Sequence, residues 1–250
     1  MLLLRFFMIL FTSLAAGNIA PDSYQKPLES ERSQALSSPD SDRVYEALLR
    51  SKIIPEVIDD FELNYLFTTQ WPGGDEHQAN LGNDVEPGDW ISKPPSITLS
   101  PVAHIVANLL CGPAAQVDPS LSMAKLTYVV ALTDPDAPSR DDPGRSEFCH
   151  WLAAGHPVVN PRVNVSDCYT LSVSGLEDLL SYRPPSPPAK TGPHRYVFVL
   201  LAHFPPTLDP LNLTRPERDW GSNGGVKQWA RENSLVPIGS NFLYAHNPDQ

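Results

Sequence analysis

The sequence predicts a mainly β protein, on three observations. The apolar run from Leu126 to Leu132 is bounded by turn-forming residues, the pattern of a buried strand. The run from Gly192 to His203 is strongly β-forming and apolar on both faces, which marks a central strand. Strand-like runs do not alternate with helical ones, so the pattern does not support a parallel βαβ sheet.

The elements follow in chain order. Leu2 to Ala16 is apolar apart from Arg5 and a Thr-Ser pair, and ends in Ala15-Ala16-Gly17. That is a secretory signal peptide over residues 1–17, too short for a membrane span, with Asn18 as the new N-terminus. Residues 18–42 are rich in Ser, Pro, Asp and Glu and poor in large apolar side chains, so they read as a disordered leader to a single domain over 43–250. Val44, Ala47, Leu48 and Ile54 recur near helical spacing, which predicts a short helix over 42–53, ended before Pro55. Strands are expected from Phe61 to Thr69, Ser96 to Leu99, Lys125 to Leu132, Glu147 to Ala153 and Tyr169 to Val173, the first broken by Trp71-Pro-Gly-Gly74. Arg183-Pro-Pro-Ser-Pro-Pro188 cannot enter a sheet interior, because proline donates no ladder hydrogen bond; it forms a stiff surface loop. In the strand after it, His194, Tyr196 and Phe198 share one face and Arg195, Val197 and Val199 the other. Val226, Trp229 and Ala230 line one side of a helix over 226–233 with Asn223 as its cap, and Pro237 to Tyr244 closes the chain as a strand.

Charge and cysteines bound the function. The 250 residues include 18 Lys+Arg and 29 Asp+Glu; loss of the signal peptide removes only Arg5 and leaves 17 against 29, a net charge of −12. Nucleic acid and anionic membrane surfaces are therefore poor partners, while a small anion in a locally basic pocket remains open. The sequons Asn164-Val-Ser166 and Asn212-Leu-Thr214 suit an exported chain. Three cysteines leave one unpaired: Cys111 and Cys168 are the natural pair, and Cys149, in an apolar stretch, a buried free thiol.

The turn Asp134-Pro-Asp-Ala-Pro138 holds two carboxylates rigidly at a strand end, where they need partners. His150 and His194 lie on β-like runs beside aromatic residues; a carboxylate such as Asp134 can orient an imidazole and hold a proton on it for an anion, or both rings are satisfied core residues. Arg140 and Arg195 either contact a phosphate or act as internal struts for nearby carboxylates. His150, His194 and Asp134 lack any short metal-ligand spacing, so no metal is expected, and no cofactor motif is present.

In this order, Asp134-Pro-Asp-Ala-Pro-Ser-Arg140, Glu147-Phe-Cys-His150 and Gly192-Pro-His-Arg-Tyr196 closely resemble the phosphatidylethanolamine-binding protein family, as do Leu81-Gly-Asn83 and Gly239-Ser-Asn-Phe-Leu-Tyr244. The resemblance runs from about Val44 to His246 and is nearest the fungal branch that includes carboxypeptidase Y inhibitors. It implies a central antiparallel sheet, a smaller second sheet, a few peripheral helices and a small anion pocket at one end. On matched positions the pocket comprises Asp134, Pro138, His150, Pro187, Pro188, His194 and Tyr196, with Asp136 and Arg140 as supporting struts. Departures are Arg145 where an aromatic is usual, a proline loop without glycine, and Phe242 where a tyrosine is common; Arg145 and Phe242 join the expected ligand-binding set. Three functions follow: a secreted, monomeric binder of a small phosphate- or carboxylate-bearing ligand; an inhibitor of serine carboxypeptidases; or an accessory partner of a biosynthetic enzyme in fungal secondary metabolism, where an Asp–His pair could transfer a proton. Without a dedicated nucleophile, binding or accessory roles are favoured over a stand-alone enzyme.

Overall fold

A computed structural model describes residues 39–102, 127–155, 157–158, 171–173, 175–203, 212–220 and 224–249, all within one compact unit, Leu36–Gln250. Cys111, Cys168, Asn164, the signal peptide, the leader up to residue 38 and the expected cap Asn223 lie outside the described residues. None of the described helices is long and apolar enough to cross a membrane.

The strands are β1 (Tyr65–Gln70), β2 (Gln78–Ala79), β3 (Asn83–Val85), β4 (Ser96–Pro101), β5 (Tyr128–Asp134), β6 (Phe148–Gly155), β7 (Pro157–Val158), β8 (Leu171–Val173), β9 (Glu177–Leu180), β10 (His194–His203) and β11 (Leu235–Ala245). They form a five-stranded sheet, β2-β1-β4-β8-β7, and a six-stranded sheet, β3-β11-β10-β5-β6-β9. The larger sheet is antiparallel except at one edge, where β3 runs parallel to β11, with Leu243 opposite Asn83. Gly82, with φ of +98°, leads the chain onto that edge, and a Cβ there would meet the Phe242 ring.

Alternation along the strands divides the core into two layers. Tyr128, Val130, Leu132, Trp151, Tyr196, Phe198 and Leu243 face Tyr65, Phe67, Ile97 and Leu99 of the smaller sheet. Val129, Ala131, Leu152, Val197, Val199 and Phe242 face the helices. Helix α1 (Pro39–Arg50) contributes Val44, Ala47 and Leu48 to that layer, and α3 (Gly225–Glu232) contributes Val226, Trp229 and Ala230. The expected face assignment along β10 is observed.

Boundaries differ from the sequence expectation for local reasons. Helix α1 stops at Arg50 because Lys52 adopts φ of 56°; Pro55 then sits inside a short turn, α2 (Ile53–Glu56), preceded by extended Ile54 as the proline ring requires. Strand β1 begins at Tyr65, not Phe61, because Phe61 and Leu63 pack against the helical layer. Helix α3 starts after Gly224, at φ of 77°, with no side-chain cap.

Candidate functional site

The turn after β5 and the start of β10 lie side by side, since β5 and β10 are neighbours with Thr133 opposite Val197. Asp134 is 3% exposed and His194 0%, so neither charge has water to rely on. His194 Nδ1 stands 2.8 Å from Asp134 Oδ2, and the other carboxylate oxygen, Oδ1, accepts the Asp136 amide at 2.8 Å. On the far side of the ring, Nε2 is 2.9 Å from Thr191 Oγ1, whose proton goes to the Pro188 carbonyl at 2.7 Å. A threonine has one proton, so with that proton on Pro188 its oxygen accepts from Nε2. The ring is thereby held between the Asp134 carboxylate and Thr191, with both nitrogens occupied inside the protein.

His150 lies beside this pair. Its Nδ1 faces the Arg183 carbonyl at 3.0 Å, and a carbonyl can only accept, so Nδ1 carries the proton and Nε2 is the lone-pair nitrogen of the neutral ring. Burial holds the imidazole below its ordinary pKa; the Asp134 charge and the Arg183 and Pro184 carbonyls pull the other way. Tyr196 packs edge-on to His150 at 5.0 Å between ring centroids, and Phe148 does so at 4.9 Å. The Tyr196 hydroxyl accepts the Ser186 amide at 3.2 Å, tying the proline loop to β10, and burial followed by the Asp134 charge keeps the phenol un-ionised.

Not every residue expected from sequence joins this group. Pro187 is buried, and its carbonyl accepts from Asn247 Nδ2 at 3.0 Å, while Pro138 and Pro188 are exposed. Arg145 is also exposed; its Nε donates to Asp219 Oδ2 at 2.6 Å and its guanidinium lies 5.5 Å from the Phe148 ring, so its charge is already matched. Phe242 needs a correction. It pairs with Val197, not with a pocket residue, and period-two alternation puts it in the helical layer, on the face opposite His194 and Tyr196.

Asp136 points to that opposite face as well. It accepts from Arg195 through Nε and Nη2, the latter at 2.7 Å, and from the Arg195 amide at 2.8 Å; Arg195 Nη1 reaches Glu56 Oε2 and the Ser51 carbonyl, both at 2.8 Å. Arg195, not the exposed Arg140, is therefore the partner of Asp136.

Three groups that the sequence did not single out matter here, with Glu147, which it named within a motif. Thr191 and Ser186 fix His194 and Tyr196. Arg218 donates to the Cys149 and His150 carbonyls. Glu147 is buried with Thr133 Oγ1 at 2.7 Å and the Val226 amide at 3.4 Å, beside Gly225, where a Cβ would collide with its carboxylate. Burial pushes the Glu147 carboxyl up to about 7, the two hydrogen bonds and distant Lys227 and Arg195 opposing it. Only glycine at 225 and the acid at 147 were visible in the sequence; their contact needs the fold. Cys149 is a buried free thiol, raised to about 12 by burial. Asn212 is exposed. No three His, Cys, Asp or Glu side chains converge to hold a metal among the described residues.

The fold agrees with the family comparison. The phosphatidylethanolamine-binding protein model matches residues 84–242, and the chain belongs to that family. Among individual relatives, it is 36% identical over 129 residues to the carboxypeptidase Y inhibitor of Saccharomyces cerevisiae, a match covering 47% of this chain and 58% of that protein. It is 27% identical over 213 residues to the uncharacterized protein YLR179C of the same yeast, covering 83% of this chain and 95% of that one. In three dimensions it resembles the carboxypeptidase Y inhibitor in the crystal structure of that inhibitor complexed with its cognate proteinase, with TM-score 0.64 and 24% identity over 87% of this chain and 99% of that one. It also resembles a phosphatidylethanolamine-binding protein from Plasmodium vivax, with TM-score 0.54 and 21% identity over 81% and 96% of the two chains.

Proposed function

We propose that this chain is a secreted binding protein for a small ligand bearing a phosphate or carboxylate. The observation that carries the reading is the buried Asp134–His194 pair set beside His150, whose Nδ1 faces the Arg183 carbonyl and leaves Nε2 as the lone-pair nitrogen. An arriving anion favours protonation of that nitrogen, turning an acceptor into a charge-assisted donor. Titration calorimetry of the mature chain with phosphate, phosphoethanolamine and small dicarboxylates tests this. A folded protein that takes up none of them ends the reading. Secretion is tested separately, by sequencing the N-terminus of protein recovered from the medium, which should start at Asn18.

A second reading, inhibition of a serine carboxypeptidase, is favoured by the 36% identity to the yeast carboxypeptidase Y inhibitor. It is tested by titrating mature protein against carboxypeptidase Y; unchanged hydrolysis at a large excess of protein disposes of it.

A further inference from the structure

Hydrogen-bond accounting leaves the histidine pocket with no net positive charge. Any charge on His194 is offset by the Asp134 carboxylate, burial holds the His150 imidazole below its ordinary pKa, and Arg145 is matched by Asp219. A second anionic group would need cations from elsewhere, and the outer edge of β6 supplies them.

Two segments share that edge. Residues up to Trp220 cover its start: the Cys149 amide donates to the Arg218 carbonyl at 2.7 Å and the Trp220 amide to the Glu147 carbonyl at 3.0 Å. Strand β9 and its continuation cover the rest, and the Arg183 amide donates to the His150 carbonyl at 2.8 Å. The Arg218 side chain fills the junction. Its Nη1 donates to the Cys149 carbonyl at 3.1 Å and the His150 carbonyl at 3.3 Å, and its Nη2 to the Ser181 carbonyl at 2.6 Å and hydroxyl at 2.9 Å. All these acceptors are neutral, so the guanidinium is held in place without being neutralised.

Arg183 and Arg215 flank it, one on each segment, and both are exposed. None of the three arginines makes an ion pair among the described residues. Burial and then repulsion from Arg183 and Arg215 hold the Arg218 guanidinium below its ordinary pKa; Asp178 opposes weakly, one of its oxygens being occupied by the Trp151 indole at 2.8 Å. Three arginines without an ion pair among the described residues, in a chain of net charge −11, form a local field suited to an anion.

We infer that the ligand carries two anionic groups, the first held at His150, beside the Asp134–His194 pair, and the second received by Arg183, Arg215 and Arg218. Its class is a bisphosphorylated or comparably dianionic small molecule, free or as a lipid headgroup. This rests on the pocket reading above and narrows it.

The test compares phosphoethanolamine with inositol 1,4-bisphosphate by calorimetry, and adds phosphatidylcholine vesicles with and without phosphatidylinositol 4-phosphate. The bisphosphate should bind at least about tenfold tighter than phosphoethanolamine. R183A/R215A, which removes two exposed side chains and should keep the wild-type melting temperature, should erase that gain and leave phosphoethanolamine binding unchanged. H150A should weaken both ligands. Vesicle binding that exceeds soluble binding would assign the ligand to lipid, and the reverse to a free metabolite. Equal bisphosphate affinity in wild type and R183A/R215A would overturn the inference. Bisphosphate binding that needs the arginines, with no phosphoethanolamine binding and no effect of H150A, would keep the arginine site and remove the pocket.

Discussion

Two neighbouring residues of β10 meet two aspartates of one turn, and the pairs behave differently. Arg195 and Asp136 are fully engaged: the carboxylate takes the guanidinium and a backbone amide, and the guanidinium also reaches Glu56 and the Ser51 carbonyl. His194 and Asp134 are equally buried but sit next to His150, an aromatic pair and an exposed proline loop. The first pair joins α1, α2 and the sheet; the second lies where a ligand could change the proton count. The comparison teaches that burial of an ion pair does not separate strut from site. What separates them is whether a neighbouring group retains an unused titratable atom.

The sharpest way to break the comparison is Arg195→Ala. It strands Asp136 without its cation, and should cost about 3–5 kcal/mol in urea unfolding. A loss no larger than that of an exposed arginine would show that the strut is not one.

Glu147 is the control for a buried carboxylate with no ion-pair partner among the described residues. Its folded pKa of about 7 lies above the unfolded value, so the folded state binds more protons between roughly pH 4.5 and 7. The stabilisation is complete below that window and lost as pH rises through it, by on the order of 3 kcal/mol. Glu147→Gln should flatten unfolding free energy over this range while retaining the acceptor for Thr133 and Val226. A wild-type pH slope that persists in the variant would exclude Glu147 as its source.

Asp134→Asn should cost less stability, about 1–3 kcal/mol, because the single amide oxygen can still accept from either His194 or the Asp136 amide, though not from both. Its distinguishing effect should be on anion affinity, since the His194 ring loses the carboxylate that orients it. If Asp134→Asn and Arg195→Ala weaken anion binding equally at matched stability, the two pairs are not functionally distinct.

The smallest expected effect is a pH slope in binding. His150 is held below its ordinary pKa in the free protein, and a bound anion raises it, so binding takes up a proton. Anion affinity should rise as pH falls below neutral, by at most about tenfold per unit, and the slope should vanish in His150→Gln. Calorimetry in buffers of different ionisation enthalpy would reveal the proton uptake; its absence would mean His150 keeps one charge state throughout.

Much of this was legible from local pattern. Alternation along β10 separated His194 and Tyr196 from Arg195 and Val197, and the Asp-Pro-Asp-Ala-Pro turn marked two restrained carboxylates. Phe242 was misplaced because its face depends on β10–β11 register, set by a partner strand distant in sequence. Arg218 and Thr191 carry no motif; their roles arise where two segments meet on one strand edge and where a loop folds back on a ring. The parallel edge strand β3 was hidden for the same reason: three residues have too little periodicity to announce a partner.

By itself, then, the sequence determined which residues are apolar on which side of each strand, where proline forbids a ladder, and that the chain is acidic enough to disfavour polyanionic surfaces. Those properties are local or additive. Tertiary structure alone decided that Asp136 pairs with Arg195 and not Arg140, that Arg145 is matched by Asp219, and that Arg183 and Arg215 act on Arg218 with no ion pair among the described residues. A charge acts through its distance to other charges and to water, and those distances exist only once the strands have chosen their neighbours.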